Sequence, residues 1–400
     1  MSKMLIGQSG GPTAAINATL RGVIEGALSS DKVDKVLGAV NGIEGVLKEH
    51  FTCLSDTFKT EENRVLLSQT PSAYLGSCRL KLPKDINDKM YADIFEIFKK
   101  NDIKYFIYIG GNDSMDTVYK LSQYAAEHNI DMSIVGVPKT IDNDLAVTDH
   151  CPGFGSAAKY IAATVREIAR DSAVYDLKSV TIIEIMGRNA GWLTAASVMA
   201  RSGKATAPHL IYLPERPFSV DSFIEDIKAV PEGNVVVAIS EGIRDKDGAY
   251  ICESASSGVL DAFGHKMLSG AGKVLEGIVR DRLGCKVRSI EINTLQRCAA
   301  HFASATDLSE SIMIGKQGAL AAADGKTGVM MYFDRVGDYE VKIGQQYIGE
   351  IANVEKTVPD EFINDKGNDI TPEFVKYAQP LIMGENEIVI ENGLPRHIIL

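Results

Sequence analysis

Residues 104–138 read KYFIYIGGNDSMDTVYKLSQYAAEHNIDMSIVGVP. Lys104–Ile109 is a short apolar run of strand length, and it ends at Gly110-Gly111. A helical pattern then continues to about His128. Ser133–Val137 is strand-like again and is closed by Pro138, which biases Val137 toward extended backbone. Strand, glycine turn, helix, strand is a βαβ unit, and such units build parallel sheets.

The same order recurs outward from this stretch. Met4–Ser9 reads as a strand, Gly10-Gly11-Pro12 as a turn, and Thr13–Ser29 as a helix with Ile16, Leu20, Val23 and Leu28 near helical spacing. Further strands are predicted at Ser179–Ile185, His209–Leu213, Asn234–Ser240 and Lys286–Ile292. The pattern from Gly264 to Leu283 is helical with no strand before it, as in a segment that bridges or returns between lobes. After Gly325 the pattern changes to a hairpin, Gly328–Phe333 and Tyr339–Ile343, and a last helix is predicted near Thr371–Met383. The loop after Asp144 and the stretch Glu253–Gly258 are candidate boundaries, and there is no internal repeat.

The composition is that of a globular chain: 400 residues, 24% charged, 45% hydrophobic, 36 glycines and 13 prolines. That length suggests about two to three domains. With 42 basic and 53 acidic side chains the net charge is −11, which argues against a general binder of nucleic acid or anionic membrane. An anionic ligand would need a local concentration of donors. No apolar run approaches the ~18 residues of a spanning helix, and Met1–Gly11 shows no signal-peptide core. Cys53, Cys78, Cys151, Cys252, Cys285 and Cys298 are scattered, the pattern of reduced core thiols in a cytosolic protein.

Two turns have phosphate-cradling chemistry, Ser9-Gly10-Gly11 and Gly110-Gly111-Asn112-Asp113-Ser114. Each follows a strand and opens a helix, whose first N–H groups are free. Neither fits GxGxxG or a P-loop. Gly325-Lys326-Thr327 has a P-loop ending, but Leu320 stands where its first glycine belongs. A lone Gly-Gly after a strand is most often a plain tight turn. Its company here is Pro138-Lys139-Thr140-Ile141-Asp142-Asn143-Asp144, two carboxylates one residue apart beside a lysine. At the edge of a sheet one carboxylate can accept a proton while the other contacts a metal.

The chain resembles the 6-phosphofructokinases over most of its length, with six motifs in order. They are Gln8-Ser-Gly-Gly11, Leu75-Gly-Ser-Cys-Arg79, Gly110–Ser114, Pro138–Asp144, Met186-Gly-Arg188 and Leu295-Gln-Arg297. The resemblance implies an α/β fold of two Rossmann-like three-layer lobes with mostly parallel sheets and an active site in the cleft between them. Residues 1–150 plus about 296–345 would bind the phosphoryl donor, and 151–295 plus about 346–400 fructose 6-phosphate.

The resemblance also implies roles. Asp142 would accept the proton of the sugar 1-hydroxyl, Thr140 would steady the phosphoryl group, and Arg188 would stabilise its equatorial oxygens. Asp144 and Asn112 would hold Mg²⁺. Gly11, Arg79 and Ser114 fall among the substrate contacts, Arg79 on a donor phosphate. Met186 and Gly187 would contact sugar and phosphoryl, and Glu241 the sugar hydroxyls, with Gln296 beside them. Arg288 and Arg297 would clamp the 6-phosphate. Arg288 matches a position that the family supplies from a neighbouring subunit, which implies a homodimer or homotetramer. Arg21 lies where bacterial ATP enzymes place an effector arginine, but on an exposed helix face the plain structural reading is favoured. Trp192 reads as helix packing.

Two departures from the ATP-using pattern bear on the donor. Asp113 stands where ATP enzymes have glycine. A carboxylate ~4 Å from a phosphate oxygen at an effective dielectric of ~20 costs about 4 kcal/mol, close to three decades of affinity. Lys139 replaces a second glycine and puts a cation beside the leaving phosphate. Both match the pyrophosphate-dependent branch, whose reaction is reversible and cytoplasmic. The alternatives are an ATP-dependent enzyme and, more remotely, a silent sugar-phosphate sensor. Asn112 stands for a common aspartate, Ser179 for a common arginine that Lys178 replaces only as a point charge, and Thr294 for a histidine or tyrosine.

Overall fold

The computed structural model describes residues 2–174, 177–254 and 270–400. The Glu253–Gly258 boundary and the start of the Gly264–Leu283 helix fall largely outside the described residues. The main sheets are built from β1 (Lys3–Gln8), β2 (Lys35–Ala39), β3 (Phe51–Cys53), β4 (Ile103–Gly110), β5 (Ser133–Pro138), β6 (Ser179–Ile185), β7 (Leu210–Tyr212), β8 (Asn234–Ser240), β9 (Lys286–Glu291), β10 (Val329–Val336) and β11 (Glu340–Tyr347).

The chain forms two compact units. The first comprises the chain to Ser156, Arg297–Glu355 and Gly384–Leu400; the second comprises Ala157–Gln296 and Lys356–Met383. The tail Gly384–Leu400 therefore stands with the first unit, where the sequence suggested the second. Its backbone is tied there: Ile398 N–H donates to Thr70 Oγ1 at 3.0 Å and Val389 N–H to Gln69 Oε1 at 3.1 Å.

The first unit holds a seven-stranded sheet in the order β11-β10-β5-β4-β1-β2-β3. Strands β2, β1, β4, β5 and β10 run parallel, and β3 and β11 close the edges antiparallel. Every residue of β5 is buried, as expected of a parallel strand covered on both faces. One face packs Phe98, Phe106 and Met115 among others, and the opposite face packs Ile6, Ile107 and Ile314. The predicted hairpin exists as β10 and β11, and β10 extends the parallel sheet beside β5.

The second unit holds a four-stranded parallel sheet, β7-β8-β6-β9. Trp192 is buried there among Phe362, Phe374 and Tyr377, a packing role. The last helix is shorter than predicted, Pro372–Ala378. None of the six cysteines is in a disulfide, but Cys53 and Cys285 are half-buried and Cys298 is exposed, so only the other three are core thiols.

Candidate active site

In the first sheet β1 leads through helix Ile16–Leu28 to β2 on one side, and β4 leads through helix Asn112–Glu127 to β5 on the other. Ligands bind at the carboxyl ends of strands where connections diverge in this way. The two glycine turns lie at that point. Ser9 N–H donates to Ile109 O at 2.9 Å, and Leu75 N–H donates to Gln8 Oε1 at 2.9 Å. Ser9 Oγ and Gly10 N–H both donate to Cys78 O, at 3.1 and 3.3 Å, and Ser77 Oγ donates to Gly10 O at 2.5 Å. Three motifs distant in sequence become one surface, with Arg79 exposed at its end.

The second turn requires its glycine. A Cβ on Gly110 would lie 2.0 Å from Ser114 Oγ. Ser114, expected at a substrate, is 1% exposed beneath that glycine. Helix Asn112–Glu127 begins at Gly111 with no side-chain cap, leaving an end suited to an anion.

The acid loop joins this surface through Lys139, whose N–H donates to Gly110 O at 2.9 Å. Asp142 N–H donates to Thr140 Oγ1 at 3.1 Å, and Thr140 N–H donates to Pro152 O at 3.2 Å. Asn143 is fully buried at φ +56° and its Oδ1 accepts from Cys151 N–H at 2.9 Å. Asp142 and Asp144 flank it, both half-buried.

Lys139 is 1% exposed, and its Nζ donates to Ser9 O at 2.9 Å and Gly11 O at 2.7 Å. Burial pulls its pKa down to about 8 against the opposing charges of Asp142 and Asp144, and the Arg297 guanidinium adds to the fall. Arg297 Nη1 lies 3.6 Å from where a Cβ on Gly11 would stand. The structure thus sets Arg297 beside the glycine turn and Lys139, although the sequence suggested the sugar 6-phosphate. Asp113, in the first turn of its helix, pairs with Lys81 at 3.1 Å. Sequence reasoning missed Lys81; its one signal is that it stands two residues after the Arg79 motif.

Asp142 and Asp144 offer hard oxygen donors of the kind Mg²⁺ takes, usually with substrate phosphates completing its shell. The loop fits that ion. Asn112 fits it less well than expected. Its Nδ2 donates to Val354 O at 2.9 Å and its Oδ1 accepts from Asn353 N–H at 2.6 Å, which commits both ends of the amide. Among the described residues, no three or more histidine, cysteine, aspartate or glutamate side chains gather as a metal site.

In the second unit, Met186-Gly187-Arg188 follows β6. Gly187 has φ +145°, and a Cβ there would lie 2.6 Å from Ala190 O. Met186 N–H donates to Gln296 Oε1 and Gly187 N–H to Glu241 Oε1, each at 3.3 Å. Gly242 lets the chain pass: a Cβ there would lie 1.9 Å from Arg188 O. Met186, Gly187, Arg188, Glu241 and Gln296 therefore gather at the carboxyl ends of β6 and β8. Arg188 Nε is buried with no hydrogen-bond partner among the described residues.

Arg288 lies elsewhere. It faces Thr181 in the β9–β6 register, about 17 Å of strand before Met186. Its side chain is 58% exposed, 3.9 Å from Asp171. Arg21 is engaged by Glu25 and Glu61, both at 2.7 Å, which supports its structural reading. Ser179 Oγ donates to Asn234 Oδ1 at 2.6 Å.

Residues 3–318 match the family model described as phosphofructokinase. A pyrophosphate–fructose 6-phosphate 1-phosphotransferase of Xanthomonas campestris pv. campestris (strain B100) is 43% identical, covering 99% of this chain and 96% of its own. The protein of that name from Methylococcus capsulatus (strain ATCC 33009 / NCIMB 11132 / Bath) is 40% identical over 98% of this chain and 94% of its own. The crystal structure of a pyrophosphate-dependent phosphofructokinase from Marinobacter aquaeolei superposes with a TM-score of 0.87 at 38% identity, covering 99% of this chain and 95% of that one. Matching motifs, matching fold and nearly end-to-end similarity agree, and the chain belongs to the phosphofructokinase family.

Proposed function

We propose that the protein reversibly transfers a phosphoryl group from pyrophosphate to the 1-hydroxyl of fructose 6-phosphate, giving fructose 1,6-bisphosphate and phosphate. The observation that carries the donor is the pair Lys139 and Asp113. The buried Lys139 ammonium spends two of its three N–H bonds on Ser9 O and Gly11 O, which fixes its direction. The third is left for the leaving phosphate. Asp113, braced by Lys81 at the helix N-terminus, opposes any donor that carries a further phosphate. Relatives at 39–43% identity carry the pyrophosphate-dependent name, whereas an ATP-dependent 6-phosphofructokinase matches at 30%, and this supports the same donor.

In the forward direction the sugar O1 attacks the terminal phosphorus of pyrophosphate, its proton passes to Asp142, and the bridging P–O bond breaks to release phosphate. Thr140 and Arg188 stabilise the charge on the phosphoryl oxygens. Met186, Gly187 and Glu241 orient the sugar. Mg²⁺, held by Asp144, would neutralise charge on the phosphates. Arg288, exposed on an edge strand, would serve the 6-phosphate of a neighbouring subunit in a homo-oligomer. No helix of the described residues is long and apolar enough to cross a membrane, and a cytoplasmic place suits these substrates.

The test is a donor swap with Mg²⁺ and fructose 6-phosphate. Turnover with pyrophosphate is expected to exceed that with ATP by up to about 10³-fold in kcat/KM, from the charge term above less what Lys81 offsets. Faster turnover with ATP would remove pyrophosphate from the reading. Asp142→Ser is expected to abolish turnover while leaving the fold intact.

A further inference from the structure

Behind the acid loop lies a buried polar cluster that the reaction as described leaves unused. His150 is 2% exposed, and both ring nitrogens face carboxylates. Nδ1 lies 2.8 Å from Asp149 Oδ1, and Nε2 lies 2.8 Å from Glu310 Oε2 on helix Ala305–Ala323. The ring stacks on Phe333 of β10 at 4.6 Å. Asp149 also accepts from Arg335 of β10, through Nε at 3.0 Å and Nη2 at 2.9 Å. The other oxygen of Glu310 accepts from the Tyr339 hydroxyl at 2.7 Å, and Arg335 covers the Tyr339 ring. Asp307, one turn before Glu310 on the same helix, is the remaining buried acid nearby.

A neutral imidazole carries one N–H and one lone pair. With carboxylate oxygens at hydrogen-bond distance from both nitrogens, only the imidazolium supplies both donors. His150 and Arg335 then balance Asp149 and Glu310. Burial works against the charged ring, but the hydrogen bonds and charges of Asp149 and Glu310 outweigh it and raise the His150 pKa above its ordinary value.

The next three residues carry the acid loop. Cys151 N–H donates to Asn143, Pro152 O accepts from Thr140, and Gly153 bridges with Thr140. Helix Ala305–Ala323 holds this ledge twice, since Asp307 accepts from Gly153 N–H and Ser156 N–H at 2.9 Å each while Glu310 holds His150.

We propose that His150 is a positioning residue: as a buried cation tying Asp149 to Glu310 it fixes the 150–153 ledge, aims Asp142 at the acceptor hydroxyl, and on losing its proton releases both. The proposal rests on the phosphotransfer reading only for its kinetic arm. Mispositioning a base lowers kcat while substrate binding stays nearly constant.

The full-length protein is assayed with whichever donor it turns over fastest, so a mistaken donor does not affect the outcome. Carbon-13-labelled histidine is titrated by NMR, with His150 assigned from its proximity to the Phe333 ring. His150 is expected to titrate above the ordinary value of about 6.5, and kcat at saturating substrates to fall with the same midpoint. Glu310→Gln removes one carboxylate. It should move the histidine midpoint and the fall in kcat to lower pH together, with both KM values within about twofold. His150→Gln should lose about tenfold in kcat and the limb with it. A His150 midpoint at or below 6.5 overturns the proposal. So does a Glu310→Gln variant whose histidine midpoint moves while the kcat limb stays. Failure of the donor swap instead, with both midpoints moving together, would strike the choice of donor and leave His150 in its role.

Discussion

The proposed function puts two demands on Lys139 at once: it would have to be charged to meet a phosphate, yet it is buried where charge is costly. Burial brings its pKa to about 8, so the free enzyme loses the cation on the alkaline side of neutrality. The kcat/KM for pyrophosphate reports the free enzyme and is expected to fall with a midpoint near pH 8. At saturating pyrophosphate the bound anion holds the proton on, and this limb should move to higher pH. Lys139→Met should lower kcat/KM by about 10²–10³ and abolish the limb; a limb that persists in the variant would assign it elsewhere. The two buried bases act oppositely on stability. Between about 8 and its ordinary 10.5 Lys139 is more protonated in the unfolded chain, so stability rises with pH across that window. The contribution of His150 is full below the ordinary histidine value and is lost as pH rises through its elevated folded pKa.

At the scale of elements, the acid loop is held by its own sequence as much as by its neighbours. Asn143 occupies left-handed backbone at φ +56° and its side chain accepts from Cys151 N–H. Asn143→Gly removes the buried acceptor and should cost about 1–3 kcal/mol. Asn143→Ala loses the same acceptor and keeps a Cβ in left-handed backbone where glycine has none, so it should be about 1–2 kcal/mol less stable than the glycine variant. Urea unfolding checks the order; an alanine variant as stable as the glycine one would show that the turn relaxes out of this conformation. The strands and glycine turns here were legible because parallel strands are continuous apolar runs and their turns demand glycine. The short strands β2 and β3 were not, since five and three residues leave little periodicity to read. Within the site, Lys139, Asp142 and Asp144 announced themselves as a compact motif. His150 and Glu310 did not, being 160 residues apart and joined only when helix Ala305–Ala323 packs behind the loop. The Asn112 amide was misread for a similar reason: its partners on loop 353–354 are more than 240 residues away in the chain.

For the molecule as a whole, a net charge of −11 coexists with a local cluster of Lys139 and Arg297 at the glycine turns and, in the second unit, with Arg188, whose buried Nε has no partner among the described residues. Arg288 stands apart from both. It sits on the edge strand β9, whose outer side has no partner strand among the described residues. Such an edge carries an exposed guanidinium whose backbone lies about 17 Å of strand before the Met186 turn, and under the proposed function it would complete a second copy's site rather than its own. This makes a whole-molecule prediction. Arg288→Ala and Asp142→Ser should each be inactive as pure homo-oligomers. In a two-fold oligomer the shared surface is the same on both copies. A hybrid of the two variants then has one site with both lesions and one with neither. Random pairing makes about half the dimers hybrids, each with one intact site of two, so refolding an equimolar mixture should restore about a quarter of wild-type activity. If Arg288 instead served its own chain, every site in the mixture would carry one lesion and no activity would return.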